Sequence, residues 1–361
     1  MSRVLFLLPS IAAGGAERVV SIISSQLVNQ GCSVDIAVFN DSMCAYEISK
    51  AVQVKRVGRF GASNGKLAKI DRLFDLIRYM RKNKGAVIVP FHPVCLKYAI
   101  TAARFADVQV IACERNDPYH LYETDNLAAD IRKLYAAAAH CVFQTQEARE
   151  FYSNLPDSKC TIIPNPVTEP QHTWCGTVKA GRIISVCRLT AQKNLKMAID
   201  AFAYVLKVVG RPISFDIFGQ GECREELEKY AEAAGVAEWV HFRGVTKEVQ
   251  KELAAASVFI SSSDYEGISN SMLEAMAIGM PVVCTDCPIG GARETITENV
   301  DGLLVPVGDS KAMAEAIIRI LQDEAYAQNL GRAAHEIVDR NSLEMIARRW
   351  RIVFEEMAQN G

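Results

Sequence analysis

The sequence predicts an α/β protein of two domains in tandem, each a doubly wound parallel sheet covered by helices on both faces. Three observations carry this. The chain has 361 residues, and a domain takes roughly 100–200. Short β-branched runs alternate with helical stretches in two successive series. Between the series, the segment from Pro164-Asn165-Pro166-Val167 to about Lys179 holds three prolines and no hydrophobic period.

In the first series, strands are expected at Val4–Leu8, Ser33–Phe39, Val87–Pro90, Val108–Cys113, Cys141–Gln144 and Cys160–Ile163. Helices are expected at Glu17–Gln30, Leu67–Asn83 and Asn126–Ala138. The second series places strands at Ile183–Val186, Phe215–Phe218, Val240–Phe242, Val258–Ser261, Val282–Thr285 and Leu303–Val305. Its helices fall at Met197–Val209, Arg224–Ala234, Lys247–Ala255, Ser271–Ile278 and Ser310–Gln322. A last helix, Ser342–Met357, carries Trp350 and Phe354. The domains are expected at residues 1–168 and 169–341, with a closing helical segment over 342–361.

Half the residues are hydrophobic and 23% are charged, enough to build packed cores. A formal net charge of −2 argues against a globally basic nucleic-acid binder. The first apolar run is too short for a signal peptide, and no run of about 18 apolar residues is present. A cytosolic protein is expected. Its eleven cysteines, scattered and odd in number, read as reduced and mostly buried thiols. Cys284 and Cys287 have redox or zinc spacing but no second pair or nearby histidines.

Ligands of open parallel sheets collect beyond the carboxyl ends of the strands, so the loops after each strand matter most. Gly14-Gly15-Ala16-Glu17-Arg18-Val19 follows the first strand and opens a helix. Glycine allows close backbone approach and a helix N-terminus favours an anion, but the same residues also suit a plain tight turn. It is not the dinucleotide fingerprint. Arg188 and Lys193 flank a turn after the first strand of the second half, a spacing that suits two adjacent phosphates. Phe218-Gly219-Gln220-Gly221-Glu222 permits close approach to a base or ribose.

The segment from Ser261 to Val283 is the most informative. Glu266 lies in a polar loop and Glu274 about one turn into a helix. The backbone of Gly267, Ile268, Ser269 and Asn270 can face an anion at that helix start. A carboxylate at position 274 can accept both hydroxyls of a ribose. Surface exposure is the ordinary reading of two glutamates eight apart. The following Ala-Met-Ala-Ile run and Gly-x-Pro-Val strand entry instead make this a buried central helix. A fifth loop, Gly290-Gly291-Ala292-Arg293-Glu294, follows the next strand.

With these loops in place, the chain resembles the retaining glycosyltransferases of family 4, with the GT-B fold, and in particular a subset acting in bacterial surface polysaccharide assembly. The resemblance covers nearly the whole chain. GGAERV, IPNPV, RLxxxKN, FGxGE and EGxxNxxLEAMAxGxPVV occur in family order, and the last holds the family's pair of glutamates with seven residues between. It implies an acceptor-binding first domain, a donor-binding second domain, a cleft between them and a final helix that crosses back. It also implies that Arg188 and Lys193 hold the diphosphate, Glu274 the ribose and Glu266 the donor sugar, with Gly14 and Gly15 facing the diphosphate. The reaction implied is hexosyl transfer from a nucleotide sugar, with UDP favoured on family frequency. No D-x-D motif is present to seat a divalent ion, so the cations would replace a metal and no cofactor is expected. A sugar-nucleotide epimerase or a non-catalytic nucleotide-sugar-binding subunit are the competing readings.

Two departures from the family pattern stand out. Cys187 replaces a usual glycine before the arginine. Where many members carry a histidine, this chain has Glu114-Arg115-Asn116-Asp117, which become acceptor candidates together with His92. Residues 50–84 carry eleven Lys or Arg against Asp71 and Asp75, a net +9. A solvated helix face explains most charge runs, but cations near an anionic leaflet attract it by about 1 kcal/mol each. The expected partners are therefore a nucleotide sugar, a glycan acceptor that is lipid-linked, and the inner face of the membrane, with no nucleic acid.

Overall fold

A computed structural model describes residues 3–12, 14–40, 44, 46–59 and 65–359. Residues 60–64 of the basic stretch lie outside the described residues. The chain divides into two compact units, residues 1–166 with 343–361, and residues 167–342.

The first unit is built on seven parallel strands: β1 (Arg3–Leu8), β2 (Ser33–Val38), β3 (Gln53–Arg56), β4 (Val87–Pro90), β5 (Gln109–Cys113), β6 (His140–Phe143) and β7 (Cys160–Ile162). Their order is β3-β2-β1-β4-β5-β6-β7. Val4 to Leu8 are all buried, as expected of a central strand covered on both faces. Phe6 sits opposite Ile36 on one side and Val89 on the other.

Strand β3 is absent from the sequence expectation. All four of its residues are exposed and Val54 is its one aliphatic side chain, so this edge strand has no apolar run to read. The helix Pro93–Ala103 was also not expected. Its start signals are nevertheless written in the chain: His92 is the N-cap, accepting from Val94 N–H, and Pro93 takes the first turn. The helices Pro118–Leu121, Gln146–Glu150, Glu324–Ala334 and Ile337–Arg340 were likewise unassigned. Three of these are one turn or little more, too short for a 3.6-residue period to show.

The helix Leu343–Gln359 belongs to the first unit. Trp350 is fully buried, with ring centroids 6.4 Å from Phe6, 5.9 Å from Phe91 and 5.7 Å from Phe354. The chain enters the second unit at Val167, whose N–H donates to Asn341 O at 2.7 Å, beside the point where it leaves.

The second unit has six parallel strands: β8 (Arg182–Val186), β9 (Ser214–Phe218), β10 (Val240–Gly244), β11 (Val258–Ser261), β12 (Val282–Thr285) and β13 (Leu303–Val305). Their order is β10-β9-β8-β11-β12-β13. In each sheet the strand order reverses once, between β1 and β4 and between β8 and β11. Crossovers leave such neighbours in opposite directions, which opens a crevice between their carboxyl ends.

Trp350→Ala should destabilise the first unit by about 3–5 kcal/mol, seen as a lowered urea midpoint for its transition in a tryptophan-independent probe such as circular dichroism.

Candidate active site

The second unit gathers its unusual residues at the crevice between β8 and β11. After β8 the chain makes a single tight turn, Ala191–Lys193, and passes through Asn194 in the left-handed region at φ 40°. Asparagine tolerates that conformation and also caps the next helix, Leu195–Val209, accepting from Met197 N–H at 3.3 Å. Its amide donates to Asp264 Oδ1 at 2.6 Å. Asp264 N–H in turn donates to Gln192 O at 2.9 Å, and Ser262 Oγ to Lys193 O at 2.8 Å. The loops after β8 and β11 are thus tied together by the chain's own groups.

Across this seam Lys193 Nζ donates to Glu266 Oε2, both side chains largely buried. Arg188 is exposed beside it, and its Nη2 donates to Gln192 Oε1 at 3.2 Å. Buried Gln192 passes the connection on, donating to Tyr265 O at 2.9 Å. The three expected catalytic residues Arg188, Lys193 and Glu266 therefore share one locus. Gln192, Asn194 and Asp264 were not anticipated. The Lys-Asn pair directly before an apolar helix is the signal that points to Asn194; Gln192 and Asp264 carry none, because the contacts that tie the loops, Gln192 to Tyr265 and Asn194 to Asp264, are distant in sequence.

Three glycine contacts shape the same edge. Gly219 has φ +137°, and a Cβ there would run into the carbonyl of Cys187. Gly291 lies against the carbonyl of Gly267, so the loop after β12 abuts the one after β11. Gly221 lies on the backbone of Leu189, which hydrogen-bonds Gln220 and Cys223 on either side of it. Cys187 is engaged in this backbone contact, and burial pushes its thiol above the usual cysteine range. The helix Asn270–Ala277 is capped by Ser269, whose Oγ accepts from Met272 N–H at 3.4 Å. Ile268 packs inward, while Ser269, Asn270 and Glu274 remain partly exposed at this end. Glu274 stands on the one solvent-reaching stripe of a helix whose other side is core.

The first unit presents its candidates at the crevice between β1 and β4 and on the neighbouring β5 loop. Gly14 N–H donates to Tyr46 Oη at 3.1 Å, and the same hydroxyl donates to Gly14 O at 3.0 Å. The carboxylate of Glu17 folds back over Gly14, at the N-terminus of the helix Gly15–Asn29. The chain thus supplies its own negative group where an external anion was expected. His92 is exposed, with Nδ1 accepting from Val94 N–H at 3.2 Å, so the neutral ring carries its proton on Nε2. Desolvation by its surroundings lowers its pKa below the usual value.

Glu114 and Arg115 turn inward. Glu114 is 2% exposed and accepts from Tyr152 Oη at 2.6 Å, Tyr135 Oη at 3.2 Å and Arg115 N–H at 3.1 Å. Burial raises its pKa to about 7, with these hydrogen bonds opposing. Arg115 stacks on Phe91 at 4.9 Å and donates to Asn165 Oδ1, which also accepts from Gln144 at 2.8 Å. Buried Asp117 caps the short helix Pro118–Leu121 through Tyr119 and His120 N–H. Asn116 is partly exposed, yet its Oδ1 is buried without a hydrogen-bond partner. Among the described residues no group of three or more His, Cys, Asp or Glu is arranged to hold a metal, and all eleven cysteines are free thiols.

The folded state keeps the Glu114 proton that an ordinary carboxyl of pKa 4.5 has lost. Its contribution to stability is therefore full below pH 4.5 and falls as pH rises towards 7. Glu114→Gln should remove that decline, so that the stability of the variant relative to the parent rises between those pH values in denaturant titrations.

Two family models match the chain: "Glycosyltransferase Family 4" over residues 13–169 and "Glycosyl transferases group 1" over residues 178–337. The amylovoran biosynthesis glycosyltransferase AmsD of Erwinia amylovora is 23% identical, over 97% of this chain and 99% of its own. A Campylobacter jejuni enzyme is 22% identical over 97% of both chains; its name makes it an α-1,4-N-acetylgalactosaminyltransferase acting on an undecaprenol-diphosphate-linked saccharide. Three other relatives, 34%, 29% and 34% identical, are matched over only 21%, 32% and 42% of their own lengths. The crystal structure of Anabaena HepE with UDP and glucose superposes with a TM-score of 0.84 at 18% identity, covering 99% of this chain and 100% of HepE. With one family model on each half and the fold shared end to end, the chain belongs to the family 4 glycosyltransferases of the GT-B fold.

Proposed function

We propose that this protein transfers a hexosyl group from a nucleotide sugar, a UDP-sugar, to a glycan acceptor in bacterial polysaccharide assembly, with retention of configuration and without a metal ion. The observation that carries this is the Lys193–Glu266 pair across the β8/β11 crevice, with Arg188 beside it. Breaking the bond to a nucleoside diphosphate leaves negative charge on the leaving oxygens. Fixed cations that face those oxygens stabilise the transition state, and removing one such donor costs about 10²–10³ in turnover. In the absence of donor, Glu266 holds Lys193 in position. Once the diphosphate takes over Lys193, Glu266 is released to act at the sugar.

Glu274 accepts the ribose hydroxyls, and the Gly219 and Gly221 turn gives the nucleotide room against backbone. The leaving phosphate takes the acceptor proton on the same face, so a second carboxylate across the bond is not needed, unlike in a hydrolase. The α-linked product and the undecaprenol-diphosphate acceptor in the Campylobacter name, and the UDP and glucose held by HepE, support this reading. The first unit then takes the acceptor at the β1/β4 edge, near His92 and Asn116. A lipid-linked acceptor puts the protein at the inner face of the cell membrane, held by the cations of residues 50–84.

Nucleoside diphosphate release should appear with one donor from a panel of UDP- and GDP-sugars, and rise when a lipid-diphosphate saccharide is added. Tight donor binding with no release from any donor would replace this reading with a non-catalytic binding subunit. With the active donor, Glu274→Ala should weaken donor binding by about 10–100-fold. Glu266→Ala should lower kcat by about 10²–10³ with a smaller change in affinity; parental turnover in that variant would remove Glu266 from the chemistry.

A further inference from the structure

The helix Lys66–Lys82 is apolar on two opposite sides. Ala68, Leu76 and Met80 face the unit's interior together with the buried Arg72. Leu67, Ile70 and Phe74 face out, 76%, 51% and 68% exposed. At 100° per residue these three fall within roughly 60° of one another, opposite the buried stripe. Lys66 and Arg78 flank the row on either side and Arg81 falls within it.

The two acids of the stretch do not dilute this face. Asp71 accepts from Arg59 N–H at 2.5 Å and pairs with its guanidinium at 3.3 Å; Asp75 accepts from Gly58 N–H at 2.9 Å. Both are engaged by the turn after β3. That edge strand adds Lys55 and Arg56, also exposed. A large apolar row with cations on both sides, whose one neighbouring acid, Asp71, is already paired with Arg59, fits a partner that is oily inside and negative outside. A second copy of this chain fits badly, since a two-fold contact through this row would crowd its cations, Lys66, Arg78 and Arg81, together with those of the other copy.

We infer that this helix lies in the plane of an anionic bilayer and sinks Leu67, Ile70 and Phe74 below the headgroups while the flanking cations hold the phosphates. The inference rests on the membrane part of the reading above and adds an apolar anchor to what charge alone would give. It does not depend on which sugar is moved. Charge-only attachment is screened away as the Debye length falls to about 3 Å at 1 M salt, whereas inserted side chains are not.

The test is flotation of the full chain with vesicles of equimolar phosphatidylglycerol and phosphatidylethanolamine, at low salt and at about 1 M salt. Binding should persist in part at high salt. Leu67→Ser/Ile70→Ser/Phe74→Ser should remove that residual binding and weaken low-salt binding by at least about tenfold, with an unchanged melting temperature. Release from a water-soluble acceptor substrate should stay at the parental level. In Phe74→Trp, the emission added to that of the three native tryptophans should be quenched by brominated acyl chains. Complete release by salt, with no quenching, would overturn the anchor and leave attachment by charge. Absence of binding at any salt would overturn both. Self-association abolished by the triple variant, without vesicle binding, would reassign the face to a second copy. Loss of transferase activity towards every acceptor belongs to the active-site reading and leaves these lipid measurements intact.

Discussion

Everything at the candidate active site depends on the reversal of strand order between β8 and β11. Two adjacent parallel strands with crossovers leaving in opposite directions cannot both be covered at their carboxyl ends. The loops that meet there must satisfy each other's backbone across the gap. Asn194, Asp264, Gln192 and Ser262 do this, and their hydrogen bonds fix the frame on which Lys193 and Glu266 face one another. A carboxylate and an ammonium held largely out of water each supply the counter-charge the other needs.

The first unit shows a related arrangement with a different outcome. Tyr46 takes up both backbone groups of Gly14, and Glu17 lies over the same residue. Further along the edge, Glu114 is enclosed by tyrosine hydroxyls and backbone N–H groups, while Arg115 reaches Asn165 next to the chain's exit. Phe91 under the Arg115 guanidinium also touches Trp350. The loop after β5 is thus wired to the core, and its charged side chains serve the loop's shape more than its surface. Of the candidate acceptor group His92 is exposed and Arg115 and Asn116 are partly exposed, while Glu114 and Asp117 are buried.

Much of this was legible in the sequence because it is local. Apolar runs of four to six residues disclose central strands, and the polar loop with Glu266 followed by an apolar helix with Glu274 marks the site. What was hidden depends on distance or on edges. Nothing near Glu114 in sequence announces Tyr135 and Tyr152, and nothing near Gly14 announces Tyr46. Strand β3 has four exposed residues and owes its existence to pairing with β2. The sequence shows the helix at Lys66–Lys82 and the charge excess around it but not its outward apolar row, because periodicity alone does not separate an apolar residue facing the core from one facing outward.

The placement of Trp350 has a consequence for how the molecule comes into being. The second unit is one continuous stretch of chain, but the first needs the helix Leu343–Gln359 to cover Phe6 and Phe91. During synthesis, which runs from the N-terminus at about 5–20 residues per second, the first-made sheet emerges without its cover. The later-made unit has all its residues first and can close ahead of it. For the time between, the apolar surface awaiting Trp350 is open to the cell, and a chaperone or a premature neighbour would find it there.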